Sequence, residues 1–261
     1  MKPLDGRRAV VTGGAGGIGR ATSLALADAG AEVIVADLAS DGAATTSSEI
    51  AQRGGAARGL ACDVTDEASV EKLFDGAGSL DMLVNTAGVA FGGDAVATPT
   101  ADWDRTLDVN VRGTWLCSRA FIARALERER PDDRDLVIVN TSSTNAFLAE
   151  TDSAAYTASK GAVSALTRSM ALDFARRGVR VNCVCPGIIA TPLTARAFEA
   201  SEDPDRLRLH WDSLHAIGRI GTPEDIAGVI VFLATDEARF IIGAEIVVDG
   251  GLSIGIPLDP P

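Results

Sequence analysis

The sequence predicts an α/β fold: a single-domain, doubly wound parallel sheet of about seven strands with helices on both faces. Three observations support this prediction. Short runs rich in β-branched residues recur along nearly the whole 261-residue chain, with helical stretches between them. Most of these runs are continuously apolar, which is typical of strands covered on both faces. The chain length and its 46% hydrophobic residues suit one large domain, or at most two small ones.

The seven predicted strands are spaced along the chain in the order expected of alternating β and α elements. They lie at residues 9–12, 32–37, 57–63, 81–85, 135–140, 180–185 and 245–250. Between the second and third, a polar, alanine-rich stretch at 40–53 predicts a helix that ends at two glycines. In the last quarter of the chain, Thr222 is the predicted N-cap of a helix, and Pro223 occupies the first position of that helix. The apolar run at 226–234 is too short to span a bilayer and fits a buried helix.

One stretch, residues 190–221, breaks this alternation. It is rich in charge and carries scattered large apolar residues: Leu193, Phe198, Leu207, Leu209, Trp211 and Leu214. A long insertion just beyond the carboxyl end of a strand predicts either a lid over a ligand or a partner surface. Its two histidines, His210 and His215, are five residues apart, which is a poor spacing for a helical metal pair. We expect them to contact solvent or substrate.

Charge and cysteine content narrow the class of protein. The net charge of −12 opposes binding to nucleic acid or to anionic membrane surfaces. The N-terminal stretch has no apolar signal-peptide core, so a cytoplasmic protein is expected. The four cysteines, Cys62, Cys117, Cys183 and Cys185, lack metal-ligand spacing. Buried free thiols are therefore favoured over a disulfide or a metal site.

The segment TGGAGGIG (12–19) follows the first predicted strand and runs into a helix. Gly13, Gly17 and Gly19 let the backbone turn sharply and approach a pyrophosphate, which the helix N-terminus can bind. A glycine-rich turn alone is weak evidence, but the strand before it and the helix after it favour a dinucleotide site. The loop ends Ile18-Gly19-Arg20 without the lysine of a P-loop, which disfavours nucleotide hydrolysis.

The second predicted strand ends at Asp37, 18 residues past Gly19. A carboxylate there can accept hydrogen bonds from both adenosine ribose hydroxyls, and it repels a 2′-phosphate. No Arg or Lys lies between residues 9 and 19 to attract that phosphate, so NAD is predicted rather than NADP. The alternative is that Asp37 is only a turn residue at the strand end.

Tyr156 is the only tyrosine of the chain, and Lys160 follows it by four residues. On a helix, residues four apart share one face, so the phenol and the ammonium project together. The ammonium, and the positive ring of an oxidised nicotinamide, favour the phenolate. We therefore expect the pKa of Tyr156 to be lowered toward the range in which it exchanges a proton at neutral pH. From spacing alone, an accidental pair on a surface helix remains open.

With these motifs in order, the chain resembles the classical short-chain dehydrogenase/reductase family, a Rossmann-like fold. The resemblance covers residues 6 to 253. It rests on the glycine loop, Asp37, Asp63-Val64, Asn85-Thr86-Ala87-Gly88, Asn110, Ser143, Tyr156-x-x-x-Lys160, Pro186-Gly187 and the glycines after Asp249. One departure is Thr86, which replaces the second asparagine of the family's NNAG turn.

The resemblance implies a role for each matching residue. Tyr156 is the acid/base, Lys160 lowers its pKa and binds the nicotinamide ribose, and Ser143 holds the substrate oxygen. Asn110 is implied to hold a water in a proton relay through its backbone. The implied cofactor contacts are Tyr156, Lys160, Gly13, Gly17, Ile18, Gly19, Asp37, Leu38, Asp63, Val64, Asn85, Ala87, Gly88, Pro186, Gly187, Ile189 and Thr191.

Two details of the implied catalytic site come from strand geometry. If the fifth strand persists through residues 142 and 143, its two serines point in opposite directions, and Ser143 is favoured over Ser142. Nearby residues of undetermined direction are candidates for lining the substrate pocket: Asn145, Phe147, Ala149 and Glu150.

The predicted function is that of an NAD-dependent oxidoreductase that interconverts a secondary alcohol and a ketone, without a metal. The alternative is a non-catalytic dinucleotide-binding sensor or scaffold with the same fold. An enoyl reductase would carry a longer tyrosine–lysine spacing, and an extended-type epimerase a larger C-terminal domain. The substrate stays open between a hydrophobic ketone, a sugar acid and an acyl thioester, because residues 190–221 mix apolar side chains with Arg196, Arg206 and Arg208.

The resemblance also implies a homotetramer. Long helices near 101–128 and 153–178 would form one interface, and the last strand another. Apolar residues on more than one face of the second helix are compatible with this: Val163, Leu166, Met170, Leu172 and Phe174.

Overall fold

The computed structural model describes residues 2–127 and 134–255. It confirms the predicted fold class, because seven parallel strands form one sheet in the order β3-β2-β1-β4-β5-β6-β7. The strands are β1 (Arg8–Thr12), β2 (Glu32–Asp37), β3 (Ala57–Ala61), β4 (Met82–Asn85), β5 (Leu136–Thr141), β6 (Val179–Pro186) and β7 (Glu245–Val248).

Nine α-helices lie within the described residues. They are α1 (Gly17–Asp28), α2 (Ser40–Gln52), α3 (Glu67–Ala77), α4 (Thr100–Leu107), α5 (Thr114–Glu127), α6 (Ala154–Phe174), α7 (Pro192–Ala200), α8 (Pro204–Leu214) and α9 (Pro223–Ala234). The predicted N-cap at Thr222 is confirmed: its hydroxyl accepts from Asp225 N while the Asp225 carboxylate accepts from Thr222 N.

The sheet is buried on both faces, as the continuously apolar strands predict. Val10, Ile34 and Leu83 face a layer that includes α3 and α5. Their strand neighbours Val11 and Val35 face the opposite layer, which includes α1 and α9. Since alternate residues of a strand point to opposite faces, only an apolar residue at every position can fill both layers.

The predicted continuous helix over 101–128 is wrong at one place, and residue 128 lies outside the described residues. A π-helical turn, Asp108–Gly113, separates α4 from α5. The amide of Asn110 is drawn into hydrogen bonds with the backbone of Val89 instead of facing solvent. A Cβ atom on Gly113 would lie 2.7 Å from Val64, so this turn packs closely on the end of β3.

The strand order reverses between β1 and β4, which flank the point where ligands bind in open parallel sheets. The glycine loop follows β1, the turn at 85–88 ends β4, Ser143 follows β5, and residues 187–191 follow β6. The fold therefore collects the predicted site at one edge of the sheet.

The 190–221 segment forms α7 and α8 beyond the carboxyl end of β6. Phe198 of α7 stacks on Trp211 of α8, with 4.8 Å between the ring centroids. Neither helix contains a fully buried residue.

All four cysteines are buried free thiols, which confirms that prediction. Among the helices of the described ranges, none combines the length and the apolar character that a bilayer crossing requires.

Candidate active site

The glycine loop lies tightly against the turn that ends β4. Gly13 has φ of 69°, and a Cβ atom on it would lie 2.7 Å from the backbone nitrogen of Ala87. A Cβ atom on Gly19 would lie 2.2 Å from the carbonyl oxygen of Gly13. Both positions therefore require glycine. Gly16, the N-cap of α1, has no side chain with which to cap the helix, so the first N–H groups of α1 are left for an anionic ligand.

Asp37 ends β2 and contacts this loop directly. Its Oδ2 accepts from the backbone N–H of Ala15 at 3.0 Å, and its Oδ1 accepts from Ala39 at 2.9 Å. Arg20, the basic residue nearest to the loop in sequence, is paired with Glu49 on α2. The carboxylate is therefore placed where an adenosine ribose approaches the glycine loop, and Leu38 beside it is exposed.

The turn after β4 differs from the expectation at one residue. The side chain of Asn85 is buried and donates to Asn140 Oδ1 at 2.9 Å and to Ser118 Oγ at 3.1 Å. It links β4 to β5 and α5, so Asn85 can line the cofactor path only with its backbone. Thr86, the departure from the family turn, donates its hydroxyl to the carbonyl of Thr12 and so holds the turn against β1.

The two residues predicted at the adenine pocket also use their side chains locally. The carboxylate of Asp63 accepts from the backbone N–H and the hydroxyl of Thr65 at 2.9 and 2.7 Å, and these bonds lower its pKa. Val64 is buried against Gly113. The side chains of both residues are therefore engaged within the protein, and the predicted adenine site stays a prediction.

The preference for Ser143 over Ser142 agrees with the geometry. Ser142 N donates to Val184 O at 2.8 Å, so strand pairing persists beyond β5 and the two side chains diverge. Ser142 Oγ points under α6, where it donates to the carbonyl of Lys160 at 3.0 Å. Ser143 points the other way; its hydroxyl accepts from Asn145 N at 3.2 Å and acts to lower the pKa of Tyr156.

Tyr156 and Lys160 lie one turn apart near the start of α6, on one face as predicted. The Nζ of Lys160 lies 5.4 Å from the ring centroid of Tyr156 and donates to the carbonyl of Thr141 at 2.8 Å. This bond anchors the ammonium to the end of β5, beside the phenol.

The expected lowering of the Tyr156 pKa is wrong for the protein without cofactor. Burial raises the pKa of Tyr156 to about 12; the hydrogen bond from Ser143 opposes this rise, and the negative charge of Glu150 adds to it. The free-energy cost of removing water from the phenolate therefore outweighs the stabilisation by nearby groups, although Tyr156 as a whole is only partly buried. Burial also lowers the pKa of Lys160 to about 8.

Asn110 is held in the π-helical turn by its side chain. Its Nδ2 donates to Val89 O at 2.9 Å and to Ser159 Oγ at 3.0 Å, while its Oδ1 accepts from Val89 N at 2.8 Å. A Cβ atom on Gly88 would lie 3.4 Å from Asn110 Oδ1 and 3.8 Å from Lys160 Nζ. Asn110 and Lys160 thus border one small space that Gly88 leaves open.

The segment after β6 closes the site from the other side. A Cβ atom on Gly17 would lie 3.2 Å from Thr191 Cγ2, so the glycine loop and Thr191 are in contact range. The hydroxyl of Thr191 accepts from Thr194 N as the N-cap of α7, and the carbonyl of Ile189 accepts from Thr194 Oγ1 at 2.8 Å. Gly187 N donates to Val248 O, which ties the segment to β7.

The expectation for His215 is wrong, while His210 is exposed as expected. Only 2% of His215 is accessible, so it has almost no contact with solvent. Its ring lies between the ends of β6 and β7, where it accepts a hydrogen bond from Ile188 N. The sequence carried no local signal for this, because Ile188 is 27 residues away.

Two other residues that hold Asn110 in place were not predicted from the sequence. Ser159 bonds Asn110 and could have been found, since it shares the α6 face that carries Tyr156 and Lys160. Val89 contributes backbone atoms only, so its identity leaves no signal.

One group of metal-ligating atoms stands together in the described part of the chain: Cys183, Cys185 and Glu245, within 4.8 Å of one another. The hydrogen bond between the two thiols, and then burial, raises the pKa of Cys183, while the same bond lowers the pKa of Cys185. Glu245 is already paired with Arg168, whose positive charge opposes a cation at this carboxylate.

A comparison with known protein families agrees with this geometry. A family model described as enoyl-(acyl carrier protein) reductase, of the short-chain dehydrogenase type, matches residues 13–253. The chain belongs to the short-chain dehydrogenase/reductase family. Its members bind a nicotinamide dinucleotide, and this chain is an oxidoreductase of that family.

Three similar proteins illustrate the range of this family. The chain is 41% identical to 2-(S)-hydroxypropyl-CoM dehydrogenase 3 of Xanthobacter autotrophicus, over 93% of this chain and 95% of that protein. It is 40% identical to D-threitol dehydrogenase of Mycolicibacterium smegmatis, over 96% and 94%. A structure described as an NAD(P)-dependent gluconate 5-dehydrogenase of Beutenbergia cavernae, with NADP bound at low occupancy, has a TM-score of 0.89 and 36% identity, over 97% and 98%.

Proposed function

We propose that this short-chain dehydrogenase/reductase is an NAD-dependent enzyme that interconverts a secondary alcohol and a ketone. The observation that carries the proposal is the pair of Tyr156 and Lys160 on one face of α6: Lys160 Nζ lies 5.4 Å from the Tyr156 ring centroid and donates to Thr141 O, two residues before Ser143. A phenol beside an ammonium, with a serine hydroxyl after the same strand, forms a site that can hold one substrate oxygen and move one proton.

Within the proposed mechanism, Ser143 donates to the substrate oxygen and Tyr156 exchanges its proton with that oxygen. When bound, a nicotinamide cofactor supplies the hydride acceptor for oxidation and the hydride donor for reduction. Lys160 keeps an ammonium beside the phenol at neutral pH, since its pKa of about 8 leaves it mainly protonated there. The side-chain Oδ1 of Asn110 borders the same space as Lys160. We propose that the backbone carbonyl of Asn110 holds a water that passes the proton onward.

The cofactor preference rests on Asp37. Its carboxylate is bound to the glycine loop, and it would meet a 2′-phosphate without a compensating arginine from that loop. The similar structure holds NADP, so membership of the family alone does not support NAD, and the proposal depends on the residue at the end of β2. We propose NAD.

Asp37→Ala tests this choice. The variant should lower the ratio of kcat/KM for NAD over NADP by about tenfold, the scale of one charge-assisted contact. Asp28→Ala, which removes an exposed carboxylate at the last residue of α1, is the matched control and should leave the ratio unchanged. Faster turnover with NADP by the unmodified protein would contradict the proposal.

The proposed catalytic domain spans residues 1–261, and the 190–221 segment is proposed to cover the substrate. It begins next to the glycine loop at Thr191 and exposes apolar side chains at Leu193, Leu209 and Leu214. An apolar cover excludes water from the reacting centre. The names of two similar proteins, 2-(S)-hydroxypropyl-CoM dehydrogenase 3 and D-threitol dehydrogenase, support a substrate with a secondary hydroxyl group.

We also propose that the protein is a cytoplasmic homotetramer and that it binds neither nucleic acid nor membranes. A groove of about 490 Å³ between α5 and α6 is lined by apolar side chains that include Trp115, Leu126 and Leu166. Leu172 on α6 and Phe240 before β7 are 84% and 99% exposed. These surfaces fit the two expected interfaces. Sedimentation that gives only a monomer at micromolar concentration would contradict the tetramer.

The central experiment measures NADH formed from NAD⁺ with a panel of secondary alcohols: threitol, a hydroxy acid, a hydroxysteroid and a hydroxyalkyl thioether. A separate arm offers NADH with an enoyl thioester, the reaction named by the matching family model. We expect turnover of an alcohol by the unmodified protein and a loss of at least about 10²-fold in Tyr156→Phe.

Two outcomes would replace the proposal. Tight binding of NADH with no turnover in any arm would indicate a dinucleotide sensor or scaffold. Reduction of the enoyl thioester alone would indicate an enoyl reductase, despite the four-residue spacing from Tyr156 to Lys160.

A further inference from the structure

His215 joins the 190–221 segment to the end of β6. It follows the last residue of α8, and its imidazole is buried. The backbone N–H of Ile188 donates to its Nε2 at 3.3 Å, and its Nδ1 lies 2.8 Å from the carbonyl oxygen of Trp211 on α8. One ring therefore bridges a helix of the segment and the strand end that the cofactor is expected to reach.

These two partners fix the tautomer of the ring. An N–H group can only donate, so Nε2 must present its lone pair to Ile188. In a neutral imidazole the proton is then on Nδ1, where it donates to the carbonyl of Trp211. Nε2 thus accepts one hydrogen bond and Nδ1 donates another, and a substitution can remove one of these bonds while keeping the other.

The backbone around His215 is built to admit the ring. A Cβ atom on Gly187 would lie 3.1 Å from Nε2 and 3.1 Å from the Cα atom of Asp249. A Cβ atom on Gly250 would lie 3.6 Å from the Cδ2 atom of the ring. The imidazole fills the space between the ends of β6 and β7 that these two glycines leave.

The hydrogen bond from Ile188 to His215 lies within residues 187–190, a short segment that is otherwise held by hydrogen bonds between backbone atoms. Gly187 N donates to Val248 O, Gly221 N donates to Ile188 O, and Ala190 N donates to Gly221 O. To this frame His215 adds a side-chain contact from α8 to the N–H of Ile188. A shift of α8 would therefore be transmitted to Ile188 and to Ile189 next to it.

We propose that His215 is a positioning residue that sets the nicotinamide-facing backbone of Ile188 and Ile189 through its Nε2 atom. It touches neither substrate nor cofactor and acts only through that backbone. The inference rests on the proposed function, since it takes residues 186–191 as the segment that binds the nicotinamide half of the cofactor.

Two substitutions separate the two nitrogens. The amide oxygen of His215→Gln reaches about as far as Nε2 and can still accept from Ile188. The amide nitrogen of His215→Asn reaches only about as far as Nδ1 and can still donate to Trp211. Each variant removes the imidazole and keeps one hydrogen bond, so each serves as the control for the other.

The measurement is the affinity of each purified full-length variant for NADH and for ADP-ribose, which lacks the nicotinamide ring. We expect His215→Asn to bind NADH about three- to tenfold more weakly, the range for one lost hydrogen bond, with unchanged affinity for ADP-ribose. His215→Gln should bind both ligands as the unmodified protein does. A structural defect alone would lower the affinity for both ligands, or would lower the affinity of both variants.

The outcomes also separate this inference from the proposed function. Failure of the unmodified protein to bind either ligand would overturn the proposed function. Normal binding by the unmodified protein, with His215→Asn unaffected or with His215→Gln the weaker variant, would overturn the inference. If His215→Asn does not fold, His215→Gln alone still tests the inference. Its amide oxygen replaces Nε2, so a loss of NADH affinity in this variant would contradict the role of Nε2.

Discussion

The strand β6 and the two helices that follow it are neighbours in the chain but are held in different ways. All eight residues of β6 are buried, and the strand is paired with β5 on one side and β7 on the other. The helices α7 and α8 contain no buried residue, and Leu209 of α8 is 71% exposed. The strand β6 is held in place by packing, whereas α7 and α8 are held by a few polar contacts.

Those polar contacts can be named. Asp212 accepts from Ile220 N at 2.7 Å, Thr194 donates to the carbonyl of Ile189, and His215 accepts from Ile188 N. Packing makes a strand part of the cooperative core, whereas a few hydrogen bonds allow a helix pair to shift without unfolding the protein. We therefore expect the chemistry at the carboxyl end of the packed sheet and substrate selection at α7 and α8.

The largest expected effect lies at Ser143, which follows β5, the strand that pairs with β6. Ser143→Ala should lower kcat by about 10²-fold or more, the scale for loss of a donor to developing charge. Ser142→Ala is the matched control, because its hydroxyl points under α6, and kcat should change far less. Steady-state kinetics with the best alcohol of the panel measures both. Equal losses would mean that strand alternation does not separate the two serines.

The next prediction compares stability between the two regions. Val184→Ala in β6 should lower the free energy of unfolding by about 2 kcal/mol, because it leaves a cavity in a packed layer. Leu209→Ala on α8 should change it by less than about 0.5 kcal/mol. Urea denaturation of both variants measures the difference. A large loss for Leu209→Ala would show that α8 belongs to the cooperative core after all.

The sheet was predictable for the same reason that it is rigid. A strand buried on both faces needs an apolar residue at almost every position, and this leaves a continuous pattern in the sequence. The run predicted at 180–185 is β6, Val179–Pro186. The opposite directions of Ser142 and Ser143 also followed from strand geometry alone.

Three features could not be predicted because they depend on contacts far apart in the chain. The π-helical turn depends on Asn110 bonding to Val89. The raised pKa of Tyr156 depends on burial, which the spacing to Lys160 does not reveal. The position of His215 depends on Ile188 and on the glycines that admit its ring.

A smaller effect is expected from the buried ammonium of Lys160. Its pKa falls from 10.5 to about 8 on folding, so the unfolded chain binds the extra proton between these values. The cost of burying the charge is therefore fully present below about pH 8 and fades as pH rises toward 10.5. Lys160→Met should be stabilised relative to the unmodified protein most strongly near neutral pH, with the difference shrinking above pH 8. Thermal unfolding across this range measures it, and a difference that grows with pH would contradict it.

The most direct test of the account is the ionisation of Tyr156 with and without cofactor. As the chain holds a single tyrosine, phenolate absorbance reports this residue alone. A rapid pH jump that outpaces unfolding should give a midpoint near 12 for the free protein. Saturating NAD⁺ should lower that midpoint by about one unit or more, because its positive ring stabilises the phenolate, whereas ADP-ribose should not. The same midpoint with NAD⁺ and with ADP-ribose would mean that Tyr156 does not face the nicotinamide, and the proposed mechanism would be wrong.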